Sequence, residues 1–314
     1  MERAILIGLR DGNKEDLEEL ERLTVSAGAE VVDKIVQRRK RIHPAYYIGK
    51  GKTNQIAVHC QEANVNLVIF DADLSPAQQR NLEEIIKVKI IDRAGLILDI
   101  FAQRARTIEG KLQVELAQLM HLLPRLTGYG VLLSQLAGGI GTRGPGETKL
   151  EYDRRRIRQR IGVLKKEIEN IRRRRAVQKE GRLHYLGGHC LVSLVGYTNT
   201  GKSTLLNVLS GARVFVDDKL FATLDPTTRK IKLPNHQEIL LTDTVGFIRN
   251  LPHHLVAAFH STLEEVRDAD LLLNIVDISS YKMEEEMDAV CKVLEELEAD
   301  KKPIITIFNK KDKI

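Results

Sequence analysis

The run Gly196-Tyr197-Thr198-Asn199-Thr200-Gly201-Lys202-Ser203 has the residue types and spacing to grip a chain of phosphates. Its glycines let the backbone wrap closely with N–H groups turned inward. Lys202 can then reach the β- and γ-phosphates, and Ser203 can ligate Mg²⁺. Further along, Asp243-Thr244-Val245-Gly246 ends a strand-like run, Ile239 to Thr242. An Asp there can hold the hydration shell of Mg²⁺, and the Gly246 N–H can meet the γ-phosphate. Asp-x-x-Gly alone is weak, because both residues are common in turns; its place after the phosphate-binding run gives it weight. Asn309-Lys310-Lys311-Asp312 completes the set. The Asp312 carboxylate can accept from the ring N–H and exocyclic amine of guanine, a donor pair that adenine lacks. Asn309 would tie this base loop to the phosphate loop, and the Lys310 stem would cover the base plane. The combined expectation is a GTP/GDP site with Mg²⁺. Between the first two motifs lies Phe221-Ala222-Thr223-Leu224-Asp225-Pro226-Thr227-Thr228-Arg229. A GTPase needs a switch Thr that completes the Mg²⁺ shell and senses the γ-phosphate. Thr223, Thr227 and Thr228 all qualify by chemistry, and spacing does not choose among them.

These residues need strands to hold them and helices to follow. Cys190 to Val195 reads as the strand entering the phosphate loop, Thr204 to Leu209 as the start of the helix leaving it, and Lys302 to Phe308 as a buried strand before the base loop. Upstream, Ala4–Leu9, a segment starting at Glu30, Asn66–Phe70 and Val88–Asp92 read as strands. Helices are expected over Asn13–Ala27 and about Ser75–Ile86, giving a small α/β domain with a mainly parallel sheet. Arg93 to Leu126 reads as one long helix. Leu136 to Thr148 carries too much Gly and Pro for regular structure. Tyr152 to Arg182 returns to helical spacing through Ile157, Ile161, Leu164, Ile168 and Ile171, and is expected to form a helical hairpin with Arg93–Leu126.

The 314 residues are 43% hydrophobic and 29% charged, as in an ordinary globular protein, and the formal net charge is +6. That moderate excess permits a nucleic-acid partner without demanding one. It is concentrated in Arg154-Arg155-Arg156, Arg158, Arg160, Lys165-Lys166 and Arg172-Arg173-Arg174-Arg175. Cys60, Cys190 and Cys291 have no metal spacing and read as buried thiols of a reducing compartment. The N-terminus does not read as a signal peptide and no apolar run reaches the length of a membrane span. The expected location is cytoplasmic.

With these motifs in place the chain resembles the HflX-family GTPases, of the Obg–HflX-like class. The resemblance rests on Phe221–Arg229, on Asp243 to Pro252, and on the segment Gly138-Gly139-Ile140-Gly141-Thr142-Arg143-Gly144-Pro145-Gly146-Glu147-Thr148. Tyr47–Lys52 and Arg106–Gln113 add to it, so that it covers nearly the whole chain. It implies an α/β fold in three parts. These are an N-terminal α/β domain over 1–95, a helical coiled-coil linker over 96–185 with its Gly-rich loop at 136–148, and a Ras-like P-loop GTPase domain over 186–314. By the family pattern Thr223 is the switch Thr on Mg²⁺, joining Ser203 as a metal ligand. Lys202, Thr223 and Gly246 then act on the reacting phosphate. The family also implies a partner, the large ribosomal subunit, with stimulated GTP hydrolysis there and a role in splitting or rescuing ribosomes. ATP at the N-terminal domain is a further expectation of the resemblance, and a monomer is expected.

Four details complete the expectation. Phe247 follows Asp-x-x-Gly where Ras-like proteins carry the Gln that orients the attacking water, so unaided hydrolysis should be slow. A ribosomal group or K⁺ held by Asn199 could supply the missing help. The Arg-rich helix and the Gly-rich loop with Arg143 fit contact with ribosomal RNA; the competing reading is a solvated face with Glu167 and Glu169 in local ion pairs. The sequence stops at Asp312-Lys313-Ile314. The domain is therefore expected to lack its last strand and helices, which would expose the strand ending at Phe308 as an apolar sheet edge and weaken the guanine pocket. His184, His189, His253 and His254 are read as hydrogen-bonded or surface histidines.

Overall fold

The computed structural model describes residues 1–10, 17–126, 145–185, 190–211, 220–249 and 260–314. The chain divides into two compact units, Met1–Gln103 with Glu115–Lys166, and Arg104–Val114 with Glu167–Ile314.

In the first unit, β1 (Arg3–Arg10), β2 (Glu30–Arg38), β3 (Leu67–Phe70) and β4 (Lys89–Asp92) form a parallel sheet in the order β2-β1-β3-β4. All four residues of β3 are buried, as the apolar run Leu67-Val68-Ile69-Phe70 requires of a central parallel strand. Helices α1 (Glu18–Ser26), α2 (Lys50–Glu62) and α3 (Pro76–Ile86) accompany the sheet. Ser75 caps α3 through a reciprocal pair of hydrogen bonds with Gln78, and Pro76 follows at the first helical position. Helix α1 is shorter than its sequence pattern, and residues 11–16 lie outside the described ones. Helix α2 has no counterpart in the sequence reading, because its buried residues are only Thr53, Ile56 and Cys60.

The stretch expected as one helix is two, α4 (Arg93–Arg104) and α5 (Ile108–Leu122). The break falls at Thr107, whose hydroxyl accepts the Gly110 N–H at 2.9 Å and so starts a new helix. The basic helix α6 runs Pro145–Tyr185. It begins inside the stretch expected to be irregular, since Pro suits a first turn, while 127–144 lie outside the described residues. Within the first unit Arg160 of α6 reaches both oxygens of Glu115 on α5 at 2.7 Å.

In the second unit, β5 (Cys190–Val195), β6 (Thr227–Lys232), β7 (Glu238–Asp243), β8 (Leu271–Asp277) and β9 (Ile304–Asn309) form a sheet ordered β6-β7-β5-β8-β9. Only β6 runs antiparallel to its neighbour. Helices α7 (Lys202–Ser210), α8 (His260–Asp268) and α9 (Met283–Glu296) belong to the same unit. Val192, Leu194, Leu206, Ile231, Leu241 and Ile275 make its core. At the sheet edge β9 leaves Ile304, Ile305 and Phe308 exposed: the composition alone reads as a buried strand, and the exposed apolar edge expected for the strand ending at Phe308 is what forms. Of the cysteines only Cys60 is buried; Cys190 opens a strand, and both it and Cys291 are exposed. All three are free thiols, and burial pushes Cys60 up to about 11.

Candidate nucleotide-binding site

The register of the second sheet sets Asp243 beside Leu194, Asn274 beside Val195 and Asn309 beside Asp277. The carboxyl ends of β5, β7 and β9 therefore deliver the phosphate loop, Asp243 and the Asn309–Asp312 loop to one end of the sheet. This is where open α/β sheets bind ligands. Gly196 (φ +143°) lies so close to β8 that a Cβ would stand 2.4 Å from the Ile275 carbonyl oxygen. Gly201 (φ +96°) would place one equally close to Asn309 Nδ2. The loop can pack here only with glycine at both ends. Asn199 and Lys310 also take left-handed φ, +60° and +62°, where non-Gly residues are uncommon and concentrate at functional sites.

Thr198, Asn199, Gly201, Lys202, Ser203, Thr204, Phe221, Ala222, Thr223, Thr244 and Gly246 line an open cleft. Lys202 is buried, and Nζ donates to the carbonyl oxygens of Gly196 at 3.1 Å and Tyr197 at 2.5 Å. Burial pushes its ammonium down to about 8; Asp243 works against that shift and Lys310 adds to it. Ser203 Oγ lies 2.6 Å from Asp243 Oδ2 and 2.8 Å from Thr223 Oγ1, and Thr223 Oγ1 donates to the same Oδ2 at 3.0 Å. Burial raises the Asp243 carboxyl above its usual range, opposed by the Ser203 hydroxyl, Lys202 and Thr223. Its Oδ1 is buried with no hydrogen-bond partner among the described residues, and the same holds for Thr198 Oγ1. Two hydroxyls and a carboxylate with one oxygen unsatisfied make a hard, all-oxygen donor set of the kind Mg²⁺ takes. Thr227 and Thr228, the other candidates for the switch, lie in β6, where the Thr228 hydroxyl meets that of Thr242 at 2.9 Å.

The remaining predicted residues build the frame. The Thr200 hydroxyl donates to the Tyr197 carbonyl at 3.1 Å, and the Thr244 hydroxyl to the Leu194 carbonyl at 2.6 Å. The Thr198 N–H donates to the Phe247 carbonyl at 2.8 Å and the Phe247 N–H to Gly196 at 3.1 Å, which joins the phosphate loop to the turn after β7. Leu224, Val245 and the Phe247 ring are buried. Asn309 Nδ2 donates to the Thr200 carbonyl at 2.8 Å, tying base loop to phosphate loop. Lys310 Nζ donates to the Asn199 carbonyl at 2.7 Å and pairs with Asp277 at 2.7 Å. Burial would raise Asp277, but Lys310 and Ser279 hold it below the usual carboxylate range. Lys311 and Asp312 sit in the exposed one-turn helix that follows. The Asp225 carboxylate lies on Arg106 and Thr107.

Tyr197, expected in the phosphate loop, also accepts the Arg249 N–H on its hydroxyl at 2.9 Å. Asp277 and Thr107 belong to this constellation without having been singled out in sequence; Asp277 carries no local signature, and Thr107 stands inside the family-like run Arg106–Gln113. On α6, Arg173 pairs with Glu169, Arg175 with Glu109 and Arg172 with Glu264, while Arg155, Arg156, Arg158 and Arg174 are exposed. Residues 136–144, His189, His253 and His254 lie outside the described residues, as does the side chain of His184.

A strand, a glycine-bounded loop and a helix that begins at Lys202 define a P-loop nucleotide-binding protein, and the loop after β9 is of the guanine-reading kind. Comparison with known proteins carries this further. Residues 14–102 match the GTP-binding GTPase N-terminal family, 104–182 the GTP-binding GTPase middle region, and 191–310 the 50S ribosome-binding GTPase family. The GTPase HflX of Caldanaerobacter subterraneus subsp. tengcongensis is 53% identical over 313 residues, covering 99% of this chain and 73% of the relative. The GTPase HflX of Escherichia coli is 50% identical over 314 residues, with the same coverage. A crystal structure of a GTP-binding protein from Sulfolobus solfataricus in complex with GDP is 28% identical. It matches with a TM-score of 0.52 across 100% of this chain and 84% of that one. The chain belongs to the HflX family of GTPases. Among the described residues no helix is long and apolar enough to cross a membrane.

Proposed function

We propose that the second unit binds GTP with Mg²⁺ and hydrolyses it to GDP and phosphate, and that a monomer does so at the large ribosomal subunit, in the splitting or rescue of ribosomes. The observation that carries this reading is that Lys202, Ser203 and Thr223 line one cleft, with Asp243 bonded behind the two hydroxyls, on the same sheet end as Asn309 and Asp312. Water adds to the γ-phosphorus as its bond to the β–γ bridging oxygen breaks. Lys202 faces the charge that gathers on the phosphate oxygens, and the Gly246 N–H stands ready for the γ-phosphate. Ser203 and Thr223 would hold the Mg²⁺, with Asp243 behind them; when bound, the ion neutralises the β- and γ-oxygens.

The Phe247 ring is buried and has no group to orient water, so turnover rises only when another group does this. K⁺ at Asn199 or a ribosomal residue fits that need. The exposed arginines of α6 fit contact with RNA phosphates, which releases counterions and makes association salt-dependent. Buried Phe247 also favours a second reading, a nucleotide-regulated RNA-binding module with negligible turnover. GTP turnover of the chain, alone and with large subunits, in K⁺ and in Na⁺, separates the two. A rise of roughly tenfold or more with subunits is expected. Turnover at the blank level under every condition would leave the binding module.

A further inference from the structure

Asp225 stands two residues beyond Thr223, yet its carboxylate serves a different segment of the same unit. Its Oδ2 accepts the N–H groups of Arg106 and Thr107 at 2.9 and 3.0 Å, and its Oδ1 accepts the Thr107 hydroxyl at 2.5 Å. That hydroxyl in turn accepts the Gly110 N–H, and the Lys111 N–H donates to the Thr107 carbonyl at 3.0 Å. Thr107 is thus the N-cap of α5, and Asp225 adds an anion at the positive end of that helix from 118 residues away. The support is itself braced: Glu109, in the first turn of α5, is buried and pairs with Arg175 at 2.7 Å. On the near side, Phe221 is buried at φ +56°, a left-handed backbone that persists for an aromatic residue only where its surroundings fix it.

Two residues of chain span at most about 7 Å, so Asp225 cannot leave its place without dragging Thr223. We propose that Asp225 is a positioning residue: latched to Thr107, it holds the Thr223 hydroxyl against Ser203 and Asp243. The segment Arg104–Val114 thereby helps to decide how firmly the triphosphate state is kept. The inference rests on reading the cleft as the GTP and Mg²⁺ site. Thr223 senses the γ-phosphate in that reading, so the latch matters for GTP and not for GDP.

Gly110 gives the sharpest handle. A Cβ there would stand 2.5 Å from Asp225 Oδ1, and the three hydrogen bonds to the two oxygens of that carboxylate keep it from swinging aside. Gly110→Ala also raises the intrinsic helix propensity of α5. The variant should therefore fold at least as well while forcing the latch open, and Asp225, expected from the sequence among the nucleotide-binding residues, does not line the cleft.

The test measures release of a fluorescent non-hydrolysable GTP analogue and of fluorescent GDP, with Mg²⁺, from the 314-residue chain. Gly110→Ala, Thr107→Ala and Asp225→Asn should each speed analogue release roughly tenfold, the loss of one or two charge-assisted hydrogen bonds, and change GDP release less than twofold. Thr107→Ser should restore the wild-type rate. Equal acceleration of both nucleotides, or of neither, would overturn the latch. Amide exchange of the nucleotide-free protein supplies a readout independent of GTP. The three variants should exchange faster over residues 221–226 with β5 unchanged. Faster exchange in a protein that fails to bind guanine nucleotides would retain the latch and sink the GTP reading instead. Unchanged exchange in a protein that binds them would sink the latch alone.

Discussion

The two sheets end in opposite ways. At the carboxyl ends of β3 and β4 the first unit fills its own edge. Buried Asp92 takes Arg125 at 2.5 Å, His121 at 3.2 Å and the Gly95 N–H at 2.8 Å. Buried Arg93 pairs with Asp71 at 2.5 Å and with Glu19. Burial alone would raise Asp92, but His121, Arg125 and the Gly95 N–H hold it below the usual carboxylate range. In the second unit the carboxylate that ends β7, Asp243, is raised, keeps one oxygen unpartnered, and has beside it a lysine that burial pushes down to about 8. An edge whose charges satisfy one another serves stability. An edge left short of partners is prepared for a ligand that brings phosphates and a metal.

The comparison breaks most visibly at its two aspartates. Asp92→Ala leaves Arg125 and His121 without their buried anion and should cost about 3–5 kcal/mol in urea unfolding. Asp243→Asn removes a buried charge that is poorly paired. It should change the stability of the nucleotide-free protein by under about 1 kcal/mol while weakening Mg²⁺-dependent nucleotide binding roughly 10- to 100-fold. The pH dependences oppose each other too. Asp92, with a depressed folded-state pKa, contributes stability above the unfolded carboxylate range that disappears as pH falls through its own pKa. Asp243, with a raised one, subtracts stability once pH rises through the unfolded value toward its own. Equal losses of stability in the two variants would erase the distinction between a filled and an open edge.

Specificity sharpens the contrast next. Asp312 is exposed and commits to no ion pair among the described residues, as a carboxylate held for a guanine edge should be. Asp312→Asn should weaken GDP binding roughly 100-fold and let xanthosine diphosphate compete, since the amide now meets a carbonyl with a donor. Competition against fluorescent GDP reads this directly. If GDP and xanthosine diphosphate compete with the variant as they do with the wild type, the base loop does not read the base.

Legibility followed the range of the chemistry. The phosphate loop, Asp243 and the base loop were readable because each is a short run whose function lies in its own residue types. The strands β1 and β3 were readable because buried parallel strands are continuous apolar runs. Helix α2 was not, since its inward face carries a threonine and a cysteine with one isoleucine. The break between α4 and α5 was hidden because apolar spacing continues across it, and a lone threonine gives the only cap signal. The role of Asp225 could not be read at all: its partner is Thr107, and nothing local in Phe221–Arg229 points there.

The smallest expected effect tests whether the open edge is electrostatically primed. Lys202 sits near 8 in the free protein because burial and Lys310 outweigh Asp243. A bound triphosphate favours the ammonium, so the complex must take up a proton wherever the free lysine has lost one. Affinity for GDP and GTP should be level below pH about 8 and fall by up to about tenfold per unit above it, until the pKa of the complex is reached. Calorimetry in buffers of different ionisation enthalpy should show uptake approaching one proton at pH 9. Lys202→Met should bind weakly with no such slope, which separates this group from the others that titrate in the same range. A flat affinity from pH 7.5 to 9.5 would mean that Lys202 keeps its charge without phosphate. The second edge would then be as well satisfied as the first, with Asp243 Oδ1, Thr198 Oγ1 and Asn274 Oδ1 left to mark it as unfinished.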